Sequence, residues 1–200
     1  MVNPGQKKEV MFTFKIVIVG GPGVGKTCLF NRFCFNSFSF DSSMTIGINF
    51  HSINLKIKTK DEDHIIGEKF IVDSIFDMAG NKRFEPLTSK FLNGANGALL
   101  VFDLVDVDSF GQLDYWLEQL QTHTDGSSIP IILVGNKSDL VTDELKEGVI
   151  ANTEIKEYVR ANNLRAYYQT SALENQYVLD VFKALTNLML SDQDAPYEVI

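Results

Sequence analysis

One eight-residue stretch restricts the possible folds more than any other part of this 200-residue chain. It runs from Gly20 to Thr27 with the sequence GGPGVGKT, which places four residues between a glycine and a Gly-Lys-Thr triplet. The apolar, β-branched run before it predicts a buried strand, and the residues from Cys28 onward predict a helix. A phosphate-binding P-loop requires this strand–loop–helix setting.

The residue types of the loop suit a nucleoside triphosphate. Glycines let several backbone N–H groups approach one ligand closely, and the N-terminus of the next helix adds oriented donors and partial positive charge. Lys26 would place a cation on the outer phosphates, and the Thr27 hydroxyl would bind Mg²⁺. The stretch therefore predicts a nucleotide site.

The rest of the chain alternates apolar strands with helical patterns. A hairpin with a charged turn at 60–67 comes first, followed by buried strands at 97–103 and 129–135 and a short strand at 165–170. We expect Ser109 to cap a helix between the two buried strands. These elements predict an α/β P-loop NTPase fold, with a mostly parallel six-stranded sheet, one antiparallel strand, and helices on both faces. Ligands of such sheets lie beyond the carboxyl ends of the strands.

The composition is that of one ordinary globular domain, with 44% hydrophobic residues and a formal net charge of −8. This acidity argues against nucleic acid as a partner. A cytoplasmic protein is expected, because the sequence has neither a signal-peptide pattern nor an apolar run long enough to cross a bilayer. We divide the chain into a flexible lead-in at 1–10, one domain at 11–190 and an acidic tail at 191–200.

A second motif, Asn136-Lys137-Ser138-Asp139, directly follows the predicted strand that ends at Gly135. The Asp139 carboxylate can accept from two N–H groups at once, the arrangement that guanine presents and adenine lacks. Asn136 could brace the loop, and the methylene stem of Lys137 could lie over the base. Such a string on its own is more often a polar turn. Behind a P-loop it predicts selectivity for guanine.

The order of these motifs resembles that of the Ras superfamily of small GTPases, over roughly Phe12 to Leu190. The likeness includes Thr45-Ile46-Gly47 as a first switch, the Asp-x-x-Gly from Asp77 to Gly80 as a second, and Thr170-Ser171-Ala172. Within the superfamily the chain most resembles Rab proteins, through its extended first-switch motif from Thr45 to Phe50. The implied fold is the superfamily's G domain.

The resemblance implies a GTP-hydrolysing molecular switch, with Mg²⁺ as cofactor and GTP and GDP as substrate and product. Thr27 and Thr45 would bind the metal directly and Asp77 through water, while the Gly80 N–H would sense the γ-phosphate. Phe38 would stack on guanine. The nucleotide-binding residues that the resemblance implies are Gly21, Pro22, Gly23, Val24, Gly25, Lys26, Thr27, Cys28, Phe38, Thr45, Gly80, Asn136, Lys137, Asp139, Ser171, Ala172 and Leu173.

The resemblance also implies protein partners. Exchange factors, activating proteins and effectors would act through the two switch loops, and a monomer is expected. Phe50, Phe76 and Phe91 occupy the positions of an aromatic triad that Rab partners read. The alternative for these three phenylalanines is a purely structural place in the core.

Two residues at the expected site of hydrolysis differ from the family pattern. Asn81 stands where the family usually has the glutamine that orients the attacking water, and its amide is one methylene shorter. Lys26 and Asn81 are the expected catalytic residues. Because of the shorter amide we expect slow intrinsic hydrolysis, unless an adjustment of the loop or a residue of a partner compensates for its reach. Pro22 stands where the family often has glycine, and it too favours slow hydrolysis. The alternative is therefore a GTP-dependent binding module with negligible hydrolysis, whereas Asp139 disfavours an ATPase or nucleotide kinase.

The final ten residues also differ from those of Rab proteins, which end in prenylated cysteines. Residues 191–200 are acidic and contain no cysteine, so the sequence predicts no direct lipid anchor. Any membrane association would then depend on a partner. The alternative is that the natural tail is missing from this sequence.

Overall fold

The structure is a computed structural model that describes residues 8–39, 44–60, 69–124, 128–142 and 149–200. Most of the expected lead-in and of the charged hairpin turn lies outside the described residues. The strands are β1 (Glu9–Gly20), β2 (Ile48–Thr59), β3 (Lys69–Met78), β4 (Gly97–Asp103), β5 (Ile131–Asn136), β6 (Ala166–Gln169) and β7 (Tyr197–Val199). The helices are α1 (Lys26–Phe35), α2 (Glu85–Leu92), α3 (Val107–Gly111), α4 (Leu113–His123), α5 (Asn152–Ala161) and α6 (Val178–Asp192), with 3₁₀ turns at Lys82–Phe84 and Ser138–Leu140.

The seven described strands form a single sheet in the order β6-β5-β4-β1-β3-β2-β7. Strands β1, β3, β4, β5 and β6 pair in parallel, whereas β2 is antiparallel to both of its neighbours, β3 and β7. The predicted class, a mostly parallel α/β sheet with one antiparallel strand, is confirmed. The number of strands is seven instead of the predicted six.

The additional strand, β7, lies in the segment that the sequence suggested as an acidic tail. It pairs with the end of β2, from Ile57 to Thr59. The Val199 N–H donates to Asn187 Oδ1 on α6 at 2.8 Å, and both Ala195 and Val199 are buried. A three-residue strand is too short for its alternation of side chains to be read from sequence. These contacts fasten the segment to the sheet edge and to α6.

The helices cover both faces of the sheet, as predicted. Successive side chains of a strand point to opposite faces, so Ile16 and Ile18 of β1 contact the layer of α1 and α6. Val17 and Val19 contact the layer that contains α2, α3, α4 and α5. All seven residues of β4 are buried, which is typical of a central parallel strand.

Two helices, α3 and α4, occupy the region in which one Ser109-capped helix was expected. Asp106 is the N-cap of α3, since its Oδ1 accepts from the N–H groups of Asp108 at 3.1 Å and Ser109 at 3.3 Å. The Ser109 hydroxyl instead donates back to the Asp106 carbonyl at 2.6 Å. The predicted cap is wrong by three residues, because Asp106 already satisfies the free N–H groups of the first turn.

Candidate nucleotide site

A cavity of about 640 Å³ lies where β1, β3, β5 and β6 end. This is the edge at which ligands bind in doubly wound sheets. Segments from five separate parts of the chain form its walls. The lining residues are Pro22, Gly23, Gly25, Lys26, Thr27, Cys28, Phe38, Ser39, Met44, Thr45, Met78, Gly80, Asn81, Asn136, Lys137, Asp139, Leu140, Ala172 and Leu173.

Most of the residues predicted to bind the nucleotide lie in this lining, but Gly21, Val24 and Ser171 do not. Val24 is buried in the core, and Ser171 lies fully buried behind the cavity. Ser39, Met44, Met78 and Leu140 line the cavity without having been singled out in the sequence. Met78 is a variable residue of the motif from Asp77 to Gly80, and the other three lie outside the polar motifs, so only their neighbours in sequence could have suggested them.

Gly25 and Lys26 show why the loop needs these residue types. Gly25 has a φ of +93°, in the left-handed region, and an added Cβ would overlap Asn136 Nδ2. Lys26 is 6% exposed, and its Nζ donates to the carbonyls of Gly20 at 2.9 Å and Gly21 at 2.6 Å. Burial lowers the pKa of Lys26 to about 8, although the Asp77 charge opposes the shift. A dehydrated cation therefore lies at the loop.

Three oxygen-bearing side chains predicted as metal ligands converge beside Lys26. Thr27 Oγ1 lies 2.8 Å from Thr45 Oγ1 and donates to Asp77 Oδ2 at 2.7 Å. Asn49 Nδ2 also donates to Asp77 Oδ2 at 2.8 Å, while the buried Asp77 Oδ1 has no hydrogen-bond partner within the described ranges. Hydroxyl and carboxylate oxygens are the hard donors that Mg²⁺ prefers. The cluster therefore fits that metal.

Burial also raises the pKa of the Asp77 carboxyl, and the hydrogen bonds from Thr27 and Asn49 and the charge of Lys26 oppose this shift. The cost of burying the carboxylate is thus only partly offset by the protein's own groups. A cation bound next to Asp77 would favour its ionised form.

Asn136 and Asp139 are held by hydrogen bonds at the other end of the cavity. Asn136 is 1% exposed; its Nδ2 donates to the Val24 carbonyl at 2.9 Å, and its Oδ1 accepts from Thr170 Oγ1 at 3.1 Å. The Ser171 hydroxyl donates to Asp139 Oδ1. These bonds join the P-loop, the end of β5 and the loop after β6 into one wall.

Lys137 makes an ion pair that the sequence did not suggest. It adopts a left-handed φ of 63°, and its Nζ lies 2.7 Å from Asp103 Oδ2 at the end of β4. The other carboxylate oxygen of Asp103 accepts from the Val105 N–H at 3.1 Å. Because β4 and β5 are neighbours, the pair fixes the direction in which the stem of Lys137 runs along the cavity.

Asn81 lies in the cavity wall with both ends of its amide engaged. Its Oδ1 accepts from the Arg83 N–H at 3.0 Å, and its Nδ2 lies 4.0 Å from Met44 Sδ. Its backbone carbonyl accepts from the Phe84 N–H at 3.0 Å. Asn81 therefore starts the 3₁₀ turn with an Asx-type hydrogen bond.

The three phenylalanines predicted as a partner surface lie in a row outside the cavity, with their rings tilted against one another. The ring centroids of Phe50 and Phe76 are 4.8 Å apart, and those of Phe76 and Phe91 are 6.2 Å apart. Phe50 is 56% exposed and Phe91 is 37% exposed, which argues against the alternative that all three serve only as core. Lys15 Nζ lies 4.8 Å from the centroid of the Phe76 ring.

Sheet order, P-loop and Asn-Lys-x-Asp loop together define the G domain of a small GTPase. The chain belongs to the Ras family, whose sequence model matches residues 15–191. It is 36% identical to the GTP-binding protein ypt3 of Schizosaccharomyces pombe, over 90% of this chain and 77% of that protein. It is also 36% identical to the Ras-related protein Rab-25 of Oryctolagus cuniculus, over 90% of this chain and 78% of the relative.

A third relative is the Ras-related protein RGP1 of Oryza sativa subsp. japonica, which is 38% identical over 89% of this chain and 71% of its own length. These similarities confirm the predicted resemblance, so the chain is a Rab-like member of the family. In the part of the chain that the structure describes, no helix has the length and apolar character needed to span a membrane.

Proposed function

We propose that this protein is a molecular switch that binds GTP with Mg²⁺ and hydrolyses GTP to GDP. The observation that carries the proposal is that one cavity joins a phosphate-type end to a guanine-type end. Lys26, Thr27 and Thr45 line the first, and Asp139 and Ala172 line the second. Neither end alone would distinguish a switch from other nucleotide-binding proteins.

At the phosphate end, the backbone N–H groups from Gly23 to Thr27 would surround the β- and γ-phosphates. Lys26 would exchange its two carbonyl partners for phosphate oxygens, which suits its buried charge. Thr27, Thr45 and, through water, Asp77 would hold Mg²⁺. The metal would supply charge neutralisation for the phosphate oxygens. Lys26 and the loop amides would stabilise the charge that develops as the γ-phosphate leaves.

At the base end, Asp139 would accept from the two adjacent N–H groups of guanine, and its bond from Ser171 would hold the carboxylate in place. Phe38 and the stem of Lys137 would lie against the faces of the base. Ala172 and Leu173 would form the back of the pocket. Adenine would leave the partly buried Asp139 carboxylate without these donors, which costs binding free energy.

The two switch loops already contact each other around the phosphate end. The Ala79 N–H donates to the Gly47 carbonyl at 3.0 Å, and Thr45 contacts Thr27. The Gly80 N–H would sense the γ-phosphate of GTP. Loss of that phosphate would remove the contacts that hold both loops, and effectors could then distinguish the two states.

Slow intrinsic hydrolysis follows from the state of Asn81. Its Oδ1 is committed to the Arg83 N–H, and its side chain is one methylene shorter than glutamine. It would position the attacking water poorly. The same observation supports a second candidate function, a GTP-dependent binding module with negligible intrinsic turnover.

Single-turnover hydrolysis of GTP by the purified protein with Mg²⁺ distinguishes the two candidates. We expect slow turnover that Asn81→Gln accelerates, because the longer amide reaches the water. Asn54→Gln, at an exposed position on β2, is the matched control and should leave the rate unchanged. Equal rates for Asn81→Gln and the wild type would show that Asn81 does not limit catalysis. Complete absence of turnover in all forms would favour the binding module.

We place this switch in membrane trafficking, on the strength of its likeness to Rab and Ypt relatives. Exchange factors, activating proteins and effectors would bind the switch loops, with Phe50, Phe76 and Phe91 as part of the effector surface. The protein would act as a cytoplasmic monomer that reaches membranes through partners. The domain would span residues 11–190, with the residues that follow fastened to its sheet.

A further inference from the structure

Arg32, in the last turn of α1, donates two hydrogen bonds to the loop that follows β6. Its Nε donates to the Ala172 carbonyl at 2.9 Å, and its Nη2 donates to the Leu173 carbonyl at 3.0 Å. The planar fork of a guanidinium places two separate nitrogens on two successive acceptors at a fixed spacing, whereas an ammonium has a single nitrogen for both. One side chain of α1 thus fixes the backbone at which the base pocket ends.

The same guanidinium also contacts a second part of the lining, at Phe38. Its central carbon lies 5.8 Å from the centroid of the Phe38 ring, which is within the range of a cation–π interaction. Its Nη1 reaches the carbonyl of Asn36 at the end of α1, at 3.4 Å. Arg32 itself lies outside the cavity lining, while Phe38, Ala172 and Leu173 belong to it.

We propose that Arg32 is a positioning residue that clamps the two walls of the base end, namely Phe38 and the Ala172–Leu173 backbone. This inference rests on the proposed function and deepens it. The clamp holds the backbone at Leu173 and makes no demand on the side chain there.

The dissociation rate of fluorescently labelled GDP tests the clamp. Arg32→Gln removes both the fork and the cation, and we expect dissociation to become about tenfold faster, as for the loss of charge-assisted hydrogen bonds. Arg32→Lys keeps the cation near Phe38 without the fork and should give an intermediate rate. Arg165→Gln is the matched control, because Arg165 pairs with Asp192 at 3.1 Å on the surface, away from the cavity.

A second readout separates positioning of the base from a general loosening of the site. The clamp acts at the base end, so Arg32→Gln should accelerate GDP dissociation by the same factor with Mg²⁺ and with a chelator. A rate within twofold of the wild type, or a factor that disappears without Mg²⁺, would overturn the inference.

If the Arg32→Gln variant folds poorly, the dissociation rate of Arg32→Lys tests the clamp instead, since lysine is as good a helix former as arginine. A lysine variant with the wild-type dissociation rate would then refute the clamp. Failure of the wild type to bind labelled GDP would instead overturn the proposed function, and this inference with it.

Discussion

Asp73 offers a quantitative test of the packing between β3 and α6. Its carboxyl group is fully buried, with a relative exposure of 0%. Its Oδ2 lies 2.6 Å from Thr186 Oγ1, and that hydroxyl also lies 3.0 Å from the Phe182 carbonyl. Thr186 has one proton for two acceptors, so both contacts are fully satisfied when Asp73 is itself protonated. Asp73 Oδ1 has no partner among the residues that the structure describes.

Burial raises the pKa of Asp73 to about 6 from an ordinary value of 3.8, against an opposing effect of the Thr186 hydrogen bond. The folded state therefore binds more protons than the unfolded chain between these two values. The stabilisation is fully present below the unfolded pKa and is lost as the pH rises through the folded pKa. A shift of about two units corresponds to about 3 kcal/mol of stability lost at neutral pH and above.

Asp73→Asn keeps the shape and cannot ionise, and its amide can donate to Thr186. We expect the variant to be more stable than the wild type, by about 1.5 kcal/mol near pH 5 and about 3 kcal/mol near pH 7.5. Urea denaturation at both pH values, with GDP and Mg²⁺ held at saturating concentrations, measures the difference. Glu157→Gln, on the exposed face of α5, should show no such gain. A stability difference independent of pH, or a less stable Asp73→Asn variant at neutral pH, would refute the reasoning.

Two further substitutions test the ends of the cavity. Asp139→Asn should weaken GDP binding strongly and improve the binding of xanthosine diphosphate, because the 2-oxo group of xanthine accepts from an amide. Competition against labelled GDP measures both affinities. An unchanged affinity for GDP would contradict the guanine assignment. Gly80→Ala should slow single-turnover hydrolysis and weaken GTP more than GDP, because an added Cβ would lie 2.6 Å from Lys26 Nζ and 2.5 Å from the Gly21 carbonyl oxygen. Equal losses for GTP and GDP would show that Gly80 does not respond to the γ-phosphate.

Elements with strong local signals could be predicted from the sequence. The bounds of β4, Gly97–Asp103, agree with the apolar run, because a strand buried on both faces leaves a continuous hydrophobic stretch. The P-loop requires glycine geometry that few other residues satisfy. The strand β7 and the cap at Asp106 could not be predicted in this way. A three-residue strand carries no period, and Asp106 and Ser109, three residues apart, both have suitable capping side chains.

The residues of the candidate site likewise differ in how far the sequence predicts them. Residues within contiguous motifs, such as Lys26 and Asp139, could be identified because their spacing along the chain carries the pattern. Arg32, Asn49 and Asp103 could not, since their contacts depend on segments distant in sequence. Arg32 lies 140 residues from Ala172, whose carbonyl it binds. Such pairs become visible only after the strands have been placed side by side.

The central claim is that the cavity is a guanine-nucleotide site that depends on Mg²⁺. Equilibrium binding of labelled GDP to the purified protein, with unlabelled GTP, GDP, ATP and ADP as competitors, tests it most directly. The account predicts displacement by GTP and GDP but not by ATP or ADP, and faster release of labelled GDP when Mg²⁺ is chelated. Equal displacement by adenine nucleotides, or binding indifferent to the metal, would contradict it.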